Sequence, residues 1–227
     1  MVKAKPSYHH GDLRRALLDA ALVLVQEGGL GALSLREAAR RAGVSVAAPY
    51  HHFADRDALI EALLLEGFAL LASEGERALD GAGLQPRERL EALGKSYVRF
   101  ARTHPAYFRL MFSSIEHCPP SAVEHVKARG GEAFVQLQQA IVALQQSGGA
   151  PEGDPSGLVL VAWSLVHGMA ALTVDGPLGS EFAGFSVKGP ALEALAIETF
   201  LALLDGSLHG KSTANTARLR AKTSRAK

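Results

Sequence analysis

The feature that most constrains this chain is a pair of short helical patterns between residues 34 and 53, joined by a three-residue break. Ser34 can cap the first helix, and Glu37 stands three residues later, where it would complete a capping box. Gly43 supplies the backbone freedom to end that helix, and Ser45 can cap a second one that starts near Val46. Such a pair forms either a helix-turn-helix, whose second helix enters the DNA major groove, or an ordinary helical hairpin.

The remaining sequence also predicts helices. Apolar residues recur at helical spacing, Pro and Gly punctuate the segments, and extended β-branched alternation is nearly absent. Helices are predicted over residues 12–27, 55–79, 87–103, 105–112, 122–146, 157–174 and 190–204. Together with the pair at 34–53, this predicts an all-α chain of about nine helices, the first three of which form a small N-terminal domain.

The predicted domains differ in charge. An N-terminal domain with its arm is predicted at residues 1–54, a larger helical domain at 55–209, and a polar basic tail, expected to be disordered, at 210–227. Seven Lys/Arg stand against four Asp/Glu up to residue 53, and six Lys/Arg with no acid follow residue 210, while the body between them is acidic. This distribution suits a protein with one face on phosphate, although basic termini also serve as plain solubilising tails.

Three observations predict a cytoplasmic protein with no membrane partner. The single cysteine, Cys118, excludes an internal disulfide framework and is typical of a reducing compartment. The first fifteen residues lack the apolar run of a signal peptide. The most apolar stretch, Leu158 to Leu172, is fifteen residues long, which is short of the ~20 needed to span a bilayer.

The N-terminal segment resembles the TetR family of bacterial transcriptional regulators over about residues 9–65. The matching features are a helix ending at Gly, a Ser-capped helix with an Ala-Ala pair, a Gly-Val-Ser turn, a Tyr, a His-Phe ending, and a following Arg and Leu. These are Gly28-Gly29, Ser34, Ala38-Ala39, Gly43-Val44-Ser45, Tyr50, His52-Phe53, Arg56 and Leu59. The resemblance implies a ligand-responsive repressor that binds a pseudo-palindromic operator in double-stranded DNA as a homodimer and is released by a small effector. An activator of the same fold is the alternative.

Small side chains stand where the second helix of the pair would meet bases. Ser45, Val46, Ala47 and Ala48 lie at its start. Their methyl groups can contact thymine methyls but cannot make the bidentate base contacts of Arg or Asn, so readout should depend on apolar contacts and one hydrogen bond from Ser45. Pro49, placed with these DNA-contacting residues, lacks the N–H that would bond back along the helix, which predicts a short, tightly wound helix.

Phosphate contacts follow from the family resemblance. It implies that Tyr50 and His51 contact phosphates, that Ser34 and Arg36 bracket the groove, and that Arg56 binds phosphate with the positive end of its helix. The alternative for Tyr50 is a position in the core, and Phe53 is expected to pack under the first helix. A further group before the first helix is expected to form an arm along the DNA backbone: Tyr8, His9 and His10.

Aromatic and polar side chains in the larger domain predict a pocket for a small, partly apolar effector. The candidate pocket residues are Tyr97, Phe100, His104, Tyr107, Phe108, Met111, Phe112, Trp163 and His167. Trp163, His167 and the following Gly168 also resemble a Trp-His-Gly motif of one C-terminal domain type in this family. Ordinary core packing is the alternative for each of these side chains.

The last two predicted helices are too apolar to face water, so two copies of each are expected to form a four-helix dimer interface. The candidate interface residues are Leu158, Val161, Leu165, Leu192, Leu195, Ala196, Phe200 and Leu203. The alternative is that both helices belong to the internal core of a monomer.

Other functions find less support in the sequence. It contains no phosphate loop, nucleophile elbow, His-Glu-x-x-His or paired-carboxylate motif, so we predict neither an enzyme nor a cofactor. Four possible metal ligands fall within twenty-two positions, but their spacing matches no compact motif and no metal site is predicted. They are His104, His117, Cys118 and His125. A metal-responsive regulator therefore stays an alternative, as does non-specific packaging of nucleic acid by the basic tail.

Overall fold

The computed structural model describes residues 10–83, 85–113, 120, 122–176, 178 and 189–206. Within these residues it contains eight α-helices, two 3-10 helices and no strand, which confirms the predicted all-α class. The α-helices are α1 (His10–Gly28), α2 (Leu35–Ala42), α3 (Arg56–Asp80), α4 (Pro86–Thr103), α5 (Pro105–Ser113), α6 (Val123–Gln146), α7 (Ser156–Val174) and α8 (Pro190–Leu204). The 3-10 helices are Leu30–Ala32 and Ala48–His51.

The second helix of the predicted pair differs from expectation. It is a 3-10 helix over Ala48–His51 rather than an α-helix starting near Val46, so the described residues form eight α-helices and not nine. The predicted Ser45 cap is also wrong, because Ala47 stands at the N-cap and no side chain bonds there. The hydrogen bonds of this helix span three residues: the Ala48 amide donates to the Ser45 carbonyl at 3.0 Å, and the His52 amide donates to the Pro49 carbonyl at 2.9 Å. Pro49 has no N–H for the longer α-helical bond. The prediction of a short, tightly wound helix is confirmed.

The chain divides into two compact units. The first comprises the described residues up to 72 together with 103–132, and the second comprises 73–102 with the described residues from 133 onward. The division into 1–54, 55–209 and 210–227 stays a prediction. The expected disorder of the tail, and the expected arm residues Tyr8 and His9, lie outside the described residues.

In the first unit, α1 packs against α2, α5 and the 3-10 helix Leu30–Ala32. Leu17, Ala38 and Leu63, from three different helices, are fully buried in its core. The start of α3 is set by Asp55, whose carboxylate accepts a hydrogen bond from the Ala58 amide at 2.8 Å. This packing holds the short 3-10 helix Ala48–His51 against α2.

The second unit is a helical core built from α4, α6, α7 and α8. Val98, Ile141, Val166, Ile197 and Leu201 are among its buried members. By length and composition, α7 is apolar enough to cross a membrane, a property that core helices of other proteins share. Only part of its apolar surface is covered within the unit, since Leu160 and Val161 lie exposed on its outer face.

Candidate nucleic-acid interface

Helix α2 begins with the cap that the sequence predicted. The Ser34 hydroxyl oxygen accepts a hydrogen bond from the Glu37 amide at 3.1 Å. The Glu37 carboxylate also accepts from the Arg40 guanidinium, whose Nε lies 3.0 Å from each of its oxygens. This ion pair holds the pKa of Glu37 below its ordinary value. The Ser34 cap is thus confirmed, whereas the Glu37 carboxylate pairs with Arg40 in place of the return bond that a capping box requires.

Helix α2 ends at Gly43, whose φ of 71° and ψ of 28° lie in the left-handed region that favours glycine. The Val44 amide donates to the Ala39 carbonyl at 3.0 Å, and the Gly43 amide donates to the Arg40 carbonyl at 3.2 Å. This bond pattern is a Schellman motif, in which the last carbonyls of the helix are satisfied while the chain turns away. The predicted glycine turn is confirmed.

The turn presents small side chains to solvent. Ser45, Val46 and Ala47 are exposed, and Val46 retains 49% of its accessible surface. Ala48 is half-buried. Pro49 is buried, which corrects its placement among the DNA-contacting residues: its ring packs inward and shapes the 3-10 helix from beneath.

Tyr50 is exposed by 58%, which excludes the alternative that it belongs to the core. His51 beside it is also exposed, whereas His52 is half-buried. Phe53 is buried at 3% exposure, as predicted, and the guanidinium carbon of Arg14 on α1 lies 5.5 Å from its ring centroid. Tyr50 and His51 therefore project from a segment whose far end is held by the core.

Arg56 has an intramolecular role that the sequence analysis missed. Its Nε donates to the Leu33 carbonyl at 2.8 Å, and its Nη2 donates to the Leu30 carbonyl at 2.8 Å. These bonds tie the first turn of α3 to the segment that precedes α2. The sequence around Arg56 does not predict these two hydrogen bonds, because their acceptors lie more than twenty residues earlier in the chain. The phosphate contact of Arg56 stays a prediction.

The other arginines of this region divide into paired and unpaired groups. Arg15 bonds Asp19 and Glu66, Arg40 bonds Glu37, and Arg41 bonds Glu27 at 2.8 Å. Arg14 and Arg36 are both exposed, and among the described residues neither has a carboxylate or carbonyl partner. The positive charge that is available to an anionic partner is therefore concentrated on few side chains.

Three of the predicted pocket residues meet in the second unit. The Tyr97 hydroxyl and His167 Nδ1 are 2.9 Å apart, and the Trp163 and His167 ring centroids are 5.5 Å apart. Burial raises the pKa of Tyr97 and lowers the pKa of His167. At neutral pH both groups are therefore uncharged, and the imidazole tautomer sets which of them donates. All three side chains are half-buried, whereas Phe100 is fully buried in the same unit.

The other five predicted pocket residues lie in the first unit. The Tyr107 hydroxyl donates to Glu66 Oε1 at 2.6 Å, and burial, followed by the Glu66 carboxylate, raises the pKa of Tyr107 to about 12. His104 stacks edge-on against Tyr107, and Phe108 contacts Phe112 at 5.1 Å between centroids. Met111 is fully buried. An open depression of about 300 Å³ in the second unit involves none of the nine; its lining residues are Ala82, Gly83, Glu88, Glu91, Ala92 and Lys95.

The predicted interface residues on α7 and α8 fall into two groups. Val161, Leu195 and Leu203 are exposed by 53%, 48% and 59%. Two further leucines on α7 that the sequence analysis missed, Leu160 and Leu172, are also exposed. The remaining predicted residues are half-buried, most of them against the core of the second unit: Leu158, Leu165, Leu192, Ala196 and Phe200.

Among the described residues, no group of three or more His, Cys, Asp or Glu side chains is placed to hold a metal ion. His125, one of the four possible ligands, bonds through Nδ1 to Glu61 at 3.0 Å. His117 and Cys118 lie outside the described residues.

Two family models match the chain. One, described as bacterial regulatory proteins of the tetR family, matches residues 17–63, and one described as the tetracyclin repressor-like C-terminal domain matches residues 90–186. The first match contains α2, the Gly43 turn and the exposed surface that follows it. The chain belongs to the TetR family of bacterial transcriptional regulators.

Individual proteins are also similar to this chain. The transcriptional regulator BetI of Paraburkholderia phymatum is 36% identical over 83 residues, which are 36% of this chain and 42% of BetI. The match thus spans about two fifths of that relative. A solved structure of a protein with unknown function from Rhodococcus sp. RHA1 is 36% identical, covers 88% of this chain and all of that chain, and has a TM-score of 0.75.

A second solved structure, AibR in complex with isovaleryl coenzyme A and operator DNA, is 18% identical to this chain. It covers 85% of this chain and 97% of AibR with a TM-score of 0.65, a likeness that shows the shared fold alone. The chain carries the N-terminal domain of the tetR family of bacterial regulatory proteins and a C-terminal domain of the tetracyclin repressor-like type.

Proposed function

We propose that this chain is a cytoplasmic repressor that binds a pseudo-palindromic operator as a homodimer and is released by a small, partly apolar effector. The observation that carries the proposal is the exposed surface after Gly43, where Ser45, Val46 and Ala47 stand beside Tyr50. Small side chains let the backbone approach base edges closely, and the 58% exposed Tyr50 reaches outward to the phosphate chain.

Affinity and specificity fall to different residues in this proposal. Tyr50, His51 and Arg36 contact phosphates, which contributes affinity for any sequence. Val46 and Ala47 contact thymine methyls, and Ser45 donates or accepts one hydrogen bond. Because no long polar side chain stands among these base-reading residues, DNA shape contributes the remaining specificity.

The exposed apolar residues of α7 and α8 support dimerisation. Leu160, Val161, Leu195 and Leu203 would each lose most of their remaining accessible surface against a second copy. A two-fold dimer places two equivalent surfaces on DNA, which predicts half-sites about one helical turn apart.

The half-buried Tyr97, Trp163 and His167 are the best candidates for effector contact. They combine apolar ring surface with a polar pair, whereas fully buried Phe100 and Met111 serve packing. AibR, a structural relative, is seen with isovaleryl coenzyme A. An effector that binds better to the DNA-incompetent state of this chain would release the operator, as linkage requires.

The test is selection of binding sites from random-sequence DNA duplexes, followed by affinity measurements on the selected duplex. We expect a pseudo-palindromic motif. Tyr50→Ala should weaken binding to selected and unselected duplexes by the same factor, because a phosphate contact does not depend on the bases. Val46→Ala should weaken only the selected duplex. Val23→Ala, the same change at an exposed valine on α1, is the matched control and should alter neither affinity.

Failure to enrich any motif would contradict sequence-specific binding. An enriched motif without two-fold symmetry, together with a monomer in sedimentation equilibrium, would contradict the dimer. If Tyr50→Ala changed the preferred sequence, the phosphate role of Tyr50 would be wrong.

A further inference from the structure

Arg14 stands beside the DNA surface without belonging to the helix-turn-helix itself. It lies in the second turn of α1, its side chain is exposed, and its guanidinium carbon is 5.5 Å from the Phe53 ring centroid. That distance is within the range of a cation–π contact. Phe53 directly follows the segment that carries Tyr50 and His51, so Arg14 is held next to the far end of that segment.

Arg14 is free to bind an anion, whereas most neighbouring arginines are already bonded within the protein. Arg15, Arg40 and Arg41 are paired with carboxylates, and Arg56 donates to two backbone carbonyls. An aromatic ring attracts a cation without neutralising it, so Arg14 keeps its full positive charge and its N–H donors. The ring also limits the rotamers of the long side chain, which lowers the entropy lost when a ligand is bound.

We propose that Arg14 is a further phosphate-binding residue of this regulator, positioned by the Phe53 ring beside the end of residues 45–52, the recognition segment. The proposal rests on the DNA-binding function proposed above and extends the contact surface to α1. A guanidinium presents several N–H donors in one plane and binds phosphate oxygens in pairs, which suits it to this role.

The experiment measures binding of a 30-base-pair duplex of mixed sequence by fluorescence anisotropy between 50 and 200 mM salt. A mixed sequence suffices because phosphate contacts do not depend on the bases. Each neutralised phosphate contributes about 0.9 to the slope of log Kd against log salt. Arg14→Ala should reduce that slope by about 0.9 for each bound protomer and should weaken binding at 50 mM salt roughly threefold or more.

Arg41→Ala is the matched control. It removes the same charge from the same unit, but the Arg41 side chain is paired with Glu27. Glu27 lies about 20 Å from Arg14 along the axis of α1, so the two arginines occupy different places on the unit. The control should leave the slope unchanged, and Arg14→Lys should restore most of the slope that Arg14→Ala loses. Thermal melts followed by circular dichroism check that each variant is folded.

The outcomes separate the two proposals. If the unmodified protein does not bind the duplex at 50 mM salt, the DNA-binding function fails and the role of Arg14 fails with it. If the unmodified protein binds and Arg14→Ala changes the slope no more than Arg41→Ala does, only the role of Arg14 is refuted. A slope change confined to Arg14→Ala and reversed by lysine supports it.

Discussion

Replacing Tyr107 by phenylalanine removes one hydroxyl from a network that joins α1, α3 and α5. Tyr107 is 6% exposed, and its hydroxyl donates to Glu66 Oε1 at 2.6 Å. Arg15 on α1 donates to the same carboxylate and, through Nε, to Asp19 at 2.9 Å. Glu66 is thus the point at which three helices of the first unit share one charged acceptor.

The expected loss follows from the exposure of each partner. A hydrogen bond to a charged group contributes about 1.5–3 kcal/mol, and the Glu66 side chain, 32% exposed, would recover part of that from water. Tyr107→Phe should therefore lower the free energy of unfolding by about 1–2 kcal/mol. Glu66→Ala should lower it by about 2–3 kcal/mol, since it also leaves the buried phenol without its acceptor. The Arg15–Glu66 pair adds about 0.5 kcal/mol, because the Arg15 side chain is 43% exposed.

Urea denaturation followed by circular dichroism, at one fixed protein concentration, measures these values. In the double variant the two losses should overlap. Its free energy of unfolding should therefore be lower than that of Glu66→Ala by no more than about 0.5 kcal/mol. Tyr50→Phe, the same change at an exposed tyrosine, is the control and should cost less than about 0.5 kcal/mol. Strict additivity of Tyr107→Phe and Glu66→Ala would refute a shared network.

Three further predictions concern other contacts. Arg56→Lys keeps the charge but cannot donate to both Leu30 and Leu33 carbonyls, so unfolding free energy should fall by about 1–3 kcal/mol in urea titrations while the salt dependence of DNA binding stays unchanged. Gly67→Ala places a methyl 2.7 Å from Met111 Sδ, and this crowding should exceed the helix gain of about 1 kcal/mol and lower the melting temperature. Burial lowers the pKa of His167, so the unfolded chain takes up its proton first as pH falls below about 6.5. Stability should decline from pH 7 to pH 5, and less steeply in His167→Gln; equal slopes would contradict this reasoning.

Most of the secondary structure was predictable because its signals are local. Each predicted helix outside the pair begins and ends within two residues of the observed one. Pro105 and Pro190 stand at the first residue of α5 and α8, and Gly43 ends α2 in the left-handed conformation. These residues act through their own backbone preferences, so neighbouring sequence suffices to place the ends.

The recognition segment was predictable only in part. Pro49 predicted a short helix, as observed. The burial of its ring depends on the tertiary packing around it, so the prediction that Pro49 contacts DNA was wrong. The exposure of Tyr50 could not be decided from the sequence, since a tyrosine suits either a core or a phosphate contact. Its 58% exposure resolves that choice.

The sequence by itself determined that this chain is helical, where its helices outside the 34–53 pair begin and end, and that a Ser34-capped helix ends in a turn at Gly43. Those properties depend on residues within one or two turns of each other. Only the tertiary structure decided which arginines keep an available charge. Arg15 bonds Glu66 fifty-one positions away, and Arg56 bonds Leu30 twenty-six positions away, whereas Arg14 contacts the Phe53 ring and no carboxylate among the described residues. Whether an arginine is free to bind an anion depends on contacts with residues far away in the sequence. The residues next to the arginine in the chain do not reveal those contacts.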